Sequence, residues 1–238
     1  PSDRKLRFFK NQPNLSQKTS DKLLMLYYYE DFLKSQVFKL LEILERLTHD
    51  SILHVRMSAV TYVFELLAAK PEQEQNLLTL GVNKLGDIDH KVSAKTSFAI
   101  LQLEQSHPAM KSIIAKAIID FLNKNYDNYN SKYYSVLTLN QTILTRKEVD
   151  LANTVIVSYF TIFRRILLDQ EKAEETNENV IGKVQLGRKS NGRKNFKKGK
   201  NGGKSVKAEV KTDGEVKEEQ NSKLFSAVLS GLNRAFPF

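Results

Sequence analysis

The stretches Asp50-Ser-Ile-Leu-His-Val-Arg56 and Asp87-Ile-Asp-His-Lys-Val-Ser93 decide the fold of this chain. In each of them an aspartate precedes a valine by five residues, and the two stretches lie 37 residues apart. Val63 and Ile100, thirteen residues after each aspartate, also lie 37 residues apart, and a further step of the same length reaches Leu137, another apolar position. A period of this size with two helices per period predicts stacked helix pairs, because one pair buries its apolar face only against its neighbours. An irregular helical bundle in which the spacing recurs by chance is the alternative.

Apolar residues elsewhere in the first 170 positions recur at helical spacing. One stripe runs from Val37 to Leu47 and another from Ile113 to Leu122, each with apolar side chains three or four residues apart. Short connections between such segments are typical of antiparallel helix neighbours. The predicted helices lie near 20–33, 36–48, 52–69, 72–85, 91–106, 109–124, 131–145, 148–169 and 223–235.

The two opening stretches resemble HEAT-like repeats, in which an aspartate in the turn between helices and a Val-Arg pair opening the second helix recur. Val55-Arg56 fits this pattern, whereas Ser93 stands in place of the arginine in the next repeat. The expected fold class is therefore all-α, an α-solenoid of HEAT/ARM-like helix pairs. Asp50 and Asp87 are expected to cap helices or to hold turns between repeats, and Arg56 is expected to pair with an aspartate of a neighbouring repeat.

Positive charge is concentrated in one glycine-rich window, 182–211. The chain carries 37 Lys and Arg against 27 Asp and Glu. Eleven of the basic residues and one acidic residue lie in this window, so the other 208 residues are formally neutral. Large apolar side chains are few between 171 and 221, and such a segment cannot offset an ordering entropy of about 1–2 kcal/mol per residue. We therefore expect a disordered linker over 171–221.

This linker divides the chain into four expected parts: an N-terminal extended segment over 1–19, HEAT-like helical repeats over 20–170, the linker, and a C-terminal docking helix over 222–238. The basic tract in the linker would serve as a nuclear import address or bind nucleic acid by charge, with little sequence preference because stacking aromatics are scarce. A linker that is merely solvated by its charge is the alternative. The tract consists of Arg188, Lys189, Arg193, Lys194, Lys197, Lys198, Lys200 and Lys204.

The sequence contains none of the constellations of residues that enzymes use. It has no cysteine, which excludes disulfides, thiolate metal sites and cysteine catalysis. The four histidines, at 49, 54, 90 and 107, lack the spacing of metal ligands. The longest apolar run, 155–163, is too short to span a membrane. We expect a protein that is not an enzyme, with no cofactor, metal, small-molecule substrate or membrane contact.

The end of the chain carries the most specific motif. Apolar residues from Leu224 to Leu232 form a helical stripe, and Gly231-Leu-Asn-Arg-Ala-Phe-Pro-Phe238 follows. This octapeptide resembles the GVNRAFPY-type signature of the CCAAT-binding-factor/Mak/NOC family of nucleolar ribosome-assembly proteins. Further stretches resemble that family in the same order: His49-Asp50 with Val55-Arg56, Lys70-Pro-Glu-Gln-Glu74, Val82-Asn-Lys-Leu-Gly-Asp87, His107-Pro108, and Tyr133-Tyr134 leading to Leu139-Asn-Gln141.

The resemblance implies a non-catalytic scaffold in the nucleus and nucleolus that contacts precursor rRNA and other assembly factors of the large ribosomal subunit. Within the family, the chain is most similar to the member that pairs with a second NOC protein in early precursors, and rRNA processing is the wider process. The implied docking residues of the motif are Gly231, Asn233, Arg234, Phe236 and Pro237. A further family core is expected beyond Phe238, which would make this chain a piece of a longer protein.

Two other functions compete with this one. A CCAAT-type DNA-binding transcription regulator is suggested by the historical name of the family, but no predicted helix groups Arg, Asn and Gln on one face for reading bases. A transport-receptor-like solenoid that binds protein cargo is the other alternative.

Overall fold

The computed structural model describes residues 4–13, 15, 20–186 and 213–237, with the backbone alone for 171–186 and 213–215. Within these residues the chain forms helices and no strand, which confirms the predicted all-α class. Three short 3₁₀ helices occupy Phe9–Asn11, Lys84–Gly86 and Pro108–Met110. The α-helices are α1 (Asp21–Thr48), α2 (Leu53–Ala69), α3 (Glu74–Asn83), α4 (His90–Ser106), α5 (Lys111–Lys124), α6 (Tyr129–Gln141), α7 (Val149–Leu186) and α8 (Asp213–Ala235).

The helices pack in two rows. Helix α2 packs on α4, α4 on α6, and α6 on α8, while in the other row α3 packs on α5 and α5 on α7. Helices that are consecutive along the chain also touch across the rows, as α1 does with α2, α5 with α6, and α7 with α8. Helix α8 therefore occupies the place in its row that follows α6, although a long segment separates it from α7 in sequence.

One hydrophobic core runs between the rows from α1 to α8. Each helix turns an apolar face toward it, as the three- and four-residue spacing predicts. Removing one of the fully enclosed side chains, for instance Ile100→Ala, costs about 2–5 kcal/mol in such an environment. Residues without measurable exposure occur along the whole length of the core: Val63, Leu85, Val92, Ile100, Ile114, Ile118, Val136, Leu224 and Val228.

Three helix boundaries differ from those predicted. The segments 20–33 and 36–48 are one continuous helix, α1, since neither proline nor glycine interrupts them. Helix α7 runs to Leu186 and α8 begins at Asp213, so the ends of the predicted disordered linker, 171–186 and 213–221, are helical instead. The prediction of disorder considered only that this segment has too few apolar side chains to form a core. Glu, Lys and Ala favour helix, and extending an existing helix avoids the cost of nucleation.

The remainder of the predicted linker, 187–212, lies outside the described residues. At the other end of the chain, residues 4–13 lie along the first half of α1. Arg4 pairs with Glu30, the backbone N–H of Arg7 donates to the same carboxylate at 2.8 Å, and the N–H of Phe9 donates to Asp31 at 3.0 Å. This segment, which includes the 3₁₀ helix Phe9–Asn11, covers one side of α1.

Candidate interaction surfaces

The turns that precede α2 and α4 have the same construction. Asp50 accepts the backbone N–H of Ile52 at 2.8 Å, and Asp87 accepts that of Asp89 at 3.0 Å. In both cases the carboxylate binds the N–H two residues ahead, which fixes the turn into the next helix. The 37-residue spacing in the sequence thus corresponds to a repeated local geometry.

Arg56 connects these two turns. Its Nη1 donates to the Asp50 carbonyl at 2.9 Å, and its Nε lies 3.3 Å from Asp87 Oδ2. The Nε approach to Asp87 is an ion pair without an aligned hydrogen bond. Asp87 is only 6% exposed in its side chain, and Lys84 Nζ is a second cation at 3.9 Å. Burial lowers the pKa of Lys84, and Asp87 counteracts that effect.

The turn before α6 continues this arrangement through amides rather than charges. Asn128 accepts the N–H of Asn130 at 2.9 Å and donates to the Gly86 carbonyl at 3.1 Å. Asn130 donates to the Asp87 carbonyl at 2.9 Å. Sequence reasoning missed both asparagines. Asn128 could have been found from its position just before a predicted helix, where an asparagine commonly caps the first turn. The turn at Asp87 is therefore held by α2 on one side and by the start of α6 on the other.

The first residue of the terminal motif is at a tight contact between helices. A Cβ on Gly231 would overlap Asn140 Oδ1 and lie 2.6 Å from the Tyr159 ring. Asn140 Oδ1 accepts the Tyr159 hydroxyl at 2.6 Å, and its Nδ2 donates to the Ala227 carbonyl at 2.8 Å. Burial raises the pKa of Tyr159, and the nearby Arg234 opposes this. Two stretches that resembled the family in sequence, at 140 and at 231, meet here.

The rest of the motif faces outward. Asn233, Arg234 and Pro237 are exposed, and Phe236 is 71% exposed, whereas Ala235 between them is buried. We expected Arg234 and Asn233, next to the apolar Phe236, to lock the terminal segment onto the helical body or onto a partner chain. The structure leaves these side chains on the surface. The residues of the basic tract, Arg188 to Lys204, lie outside the described residues.

A buried polar cluster that sequence reasoning missed joins α4 to the start of α7. Glu104 is 4% exposed and accepts the Thr142 hydroxyl at 3.1 Å. Lys111 donates to the Ile143 carbonyl at 2.8 Å and to Glu148 at 3.1 Å. Burial raises the pKa of Glu104 to about 7. Hydrogen bonds from Thr145 and then from Lys111 lower the pKa of Glu148.

The predicted capping pair Thr145 and Glu148 is part of the same connection. The Thr145 hydroxyl and N–H donate to Glu148 Oε2 at 2.6 Å and 3.1 Å. The carboxylate thus reaches back to the backbone as in a capping box, while its other oxygen binds Lys111.

The described residues include no metal-binding group, but one helix is longer and more apolar than the run at 155–163 suggested. Within the described ranges, no group of three His, Asp or Glu side chains is placed to hold a metal ion. By length and composition, Val149–Gln170 of α7 could cross a membrane. A third of that stretch is buried in the helix array, where α7 contacts α5 and α8, and core helices commonly meet the same criterion.

The chain is similar along its whole length to several known proteins. An uncharacterized protein of Schizosaccharomyces pombe is 45% identical over 99% of the chain, which covers 27% of that protein. "Ribosome biogenesis protein NOC1" of Chaetomium thermophilum is 36% identical over the whole chain, which covers 23% of that protein. Human "CCAAT/enhancer-binding protein zeta" is 30% identical, and the chain covers 19% of it. No protein-family model matches.

The chain thus spans between about a fifth and about a quarter of the length of these curated relatives. The aligned region includes both parts of the Asn140–Gly231 contact, because it extends over all or nearly all of the chain. Together with the terminal octapeptide, this similarity makes the chain homologous over its whole length to members of the CCAAT-binding-factor/Mak/NOC family.

Proposed function

We propose that this chain is part of a non-catalytic scaffold for ribosome biogenesis, active in nucleolar assembly of the large subunit. The similarity to the NOC1 protein of Chaetomium thermophilum, named for ribosome biogenesis, carries the proposal because it extends over the whole chain. The arrangement of the helices in two rows, which leaves many side chains of each row exposed, agrees with a binding role.

We further propose that the two rows form an α-solenoid of HEAT-like pairs: α1 with α2, α3 with α4, α5 with α6, and α7 with α8. The packing order of the rows supports this, since the helices from α2 to α8 contact their row neighbours and every helix contacts its pair partner. The connection of Asp50, Arg56 and Asp87 supports it as well, because it joins consecutive pairs. A solenoid presents long surfaces on which several assembly factors can bind at once.

The proposed partners are a second NOC-family protein, other assembly factors and precursor rRNA. The exposed residues of the motif, Asn233, Arg234, Phe236 and Pro237, are candidates for the protein contact. Arg234 and Phe236 combine a planar cation with an aromatic ring, and both residue types are enriched at protein–protein interfaces. For Arg234→Ala we expect weaker capture of the partner with unchanged thermal unfolding. A loss of both together would indicate a structural role instead.

The basic tract is the proposed rRNA contact or import address. If six to eight of its charges neutralise phosphates, affinity for single strands should fall with salt at a log–log slope of about −4 to −6. Deleting 187–212 should remove this charge-driven binding and leave capture of protein partners intact. Localisation of the deletion variant separates the two roles. If the variant still enters the nucleus but binds less RNA, the tract is an rRNA contact and not an import address.

The decisive test of the function is purification of the tagged full-length protein from its own cells. Large-subunit rRNA precursors should co-purify and co-sediment with it. A preparation that contains no such precursor would contradict the proposal. The name of the human relative favours one other function, binding of CCAAT-type duplex DNA. Gel shifts with an unrelated polyanion as competitor decide that point, because only base-specific binding survives the competitor.

A further inference from the structure

Helix α1 carries an apolar stripe that stays largely exposed in the described structure. Six large apolar side chains follow one another at spacings that keep them on one side of the helix, and each is at least 37% exposed. From the first to the last they extend over 23 residues, a distance of about 33 Å at 1.5 Å per residue. Gln36 is the one polar residue along this line. The apolar residues of the α1 stripe are Met25, Tyr29, Phe32, Leu40, Ile43 and Leu47.

The stripe is distinct from the faces that α1 already uses. The helix buries Leu41, Leu44 and Thr48, and it contacts α2. Residues 4–13 bind its polar side at Glu30 and Asp31, and from there Phe9 borders the stripe beside Met25, Tyr29 and Phe32 without burying them. Phe38, Leu41, Glu42 and Glu45 line a groove shared with residues of α3. At 100° per residue, the centre of the stripe lies roughly 175° around the helix axis from this groove.

The chemistry of the stripe selects the kind of occupant. Its line contains no charged side chain, which disfavours a nucleic acid, because phosphates require cations. Its length and helical spacing fit a second α-helix lying alongside with an apolar face of its own. An apolar surface of this extent is typical of a contact that is buried in the assembled protein.

The position of the stripe in the rows identifies where such a helix belongs. Helix α5 is packed between α3 and α7, so a helix inside that row is covered on two opposite sides. Helix α1 has the α3 groove on one side and the bare stripe on the other, where a preceding member of the row would lie. The relatives are about four to five times as long as the aligned region. A polypeptide of that length has the residues to supply a further helix pair.

We propose that, in the full-length polypeptide, an amphipathic helix of a further helix pair of the same molecule packs on the α1 stripe. This inference rests on the proposed function, because it assumes the solenoid. It adds that the solenoid continues beyond α1 on the side of the stripe. The first turns of α1 would then be interior to a longer array. Partner proteins would find this surface occupied and would have to bind elsewhere.

Cysteine labelling tests the proposal, because this chain has no cysteine of its own. Tyr29→Cys and Ile43→Cys place a thiol on the stripe, and Ser112→Cys is the matched control on the exposed surface of α5. Maleimide incorporation at each site is read by peptide mass spectrometry in the full-length monomer and in the 238-residue chain. We expect the two stripe sites to react at least tenfold more slowly in the full-length monomer than in the short chain. The control should react equally in both.

Three results would overturn the proposal. Stripe cysteines that react as fast as the control in the full-length monomer would show that no intramolecular helix covers them. Protection that rises with protein concentration would assign the stripe to a second copy, and protection that requires an added protein would assign it to a partner. As an independent check, Ile43→Glu should lower the urea midpoint of the full-length protein and leave that of the short chain unchanged. Co-purification of rRNA precursors is measured separately, so failure here leaves the proposed function testable.

Discussion

Gly231 of α8 lies directly against the side chain of Asn140 in α6, with no space for a Cβ between them. The amide cannot move away, because Tyr159 binds its Oδ1 and the Ala227 carbonyl binds its Nδ2. Three helices therefore meet at one side chain. The glycine that begins the terminal motif is required by space, and the exposed residues that follow it are available for contacts.

Replacing Gly231 with alanine should destabilise the chain by about 1–3 kcal/mol, the cost of forcing a methyl group into a filled space. This loss would occur although alanine favours a helix by about 1 kcal/mol over glycine. Urea unfolding measures the change. Ser230→Ala, at the exposed neighbouring position, is the control and should change stability by no more than about 0.5 kcal/mol. A Gly231→Ala protein as stable as the parent would refute the contact.

The hydroxyl of Tyr159 should stabilise the folded chain only through its hydrogen bond to Asn140. Tyr159→Phe leaves the buried amide oxygen without its donor, and we expect a loss of about 1–2 kcal/mol in the free energy of unfolding. In an Asn140→Ala background the same substitution should cost much less, because the acceptor is already absent. Tyr62→Phe removes a hydroxyl from an exposed ring of α2 and is the control. Equal effects of Tyr159→Phe in both backgrounds would show that the two residues are not coupled.

The sequence predicted those parts of the structure that depend on local spacing. Helical class followed from the apolar period, and the 37-residue recurrence of Asp50 and Asp87 marks two turns with the same hydrogen bond. The extent of α7 was underestimated, since the absence of a core does not prevent a helix from being extended. The prediction that 187–212 is disordered stays a prediction.

Apart from the expected pairing of Arg56 with an aspartate of a neighbouring repeat, contacts between residues far apart in sequence could not be predicted. Nothing in the neighbourhood of Glu104 indicates that it faces Thr142, 38 positions later. Asn130 binds a carbonyl 43 positions earlier, and only the three-dimensional packing of the rows brings them together. The uncovered stripe of α1 was equally invisible, because an apolar helical face has the same pattern whether or not a neighbour covers it.

The buried pairing of Arg56 with Asp87 should be more important than the hydrogen bond within either turn. Asp87→Ala leaves Arg56 and Lys84 without their anion and also removes the turn acceptor, so we expect a loss of about 3–5 kcal/mol. Asp87→Asn keeps an acceptor for the Asp89 N–H and should cost less. Asp50→Ala removes only a turn acceptor that contacts no cation, and is expected to cost about 1 kcal/mol. Chemical unfolding of the three variants gives the order, and an Asp50→Ala effect as large as that of Asp87→Ala would contradict it.

Glu104 should make stability depend on pH between about 4.5 and 7. Because burial raises its folded pKa to about 7 from an ordinary 4.5, the folded state binds more protons in this interval. Its contribution is therefore complete below pH 4.5, declines as pH rises to 7, and is constant above that. Thr142, Lys111 and Glu148 are the groups that face it. Glu104→Gln should be nearly neutral at pH 5 and stabilising at pH 8, by up to about 3 kcal/mol. Glu65→Gln on the exposed side of α2 should have the same effect at both pH values. Urea unfolding at pH 5 and pH 8 provides the comparison, and an effect of Glu104→Gln that does not differ between them would show that the carboxyl is not protonated in the folded chain.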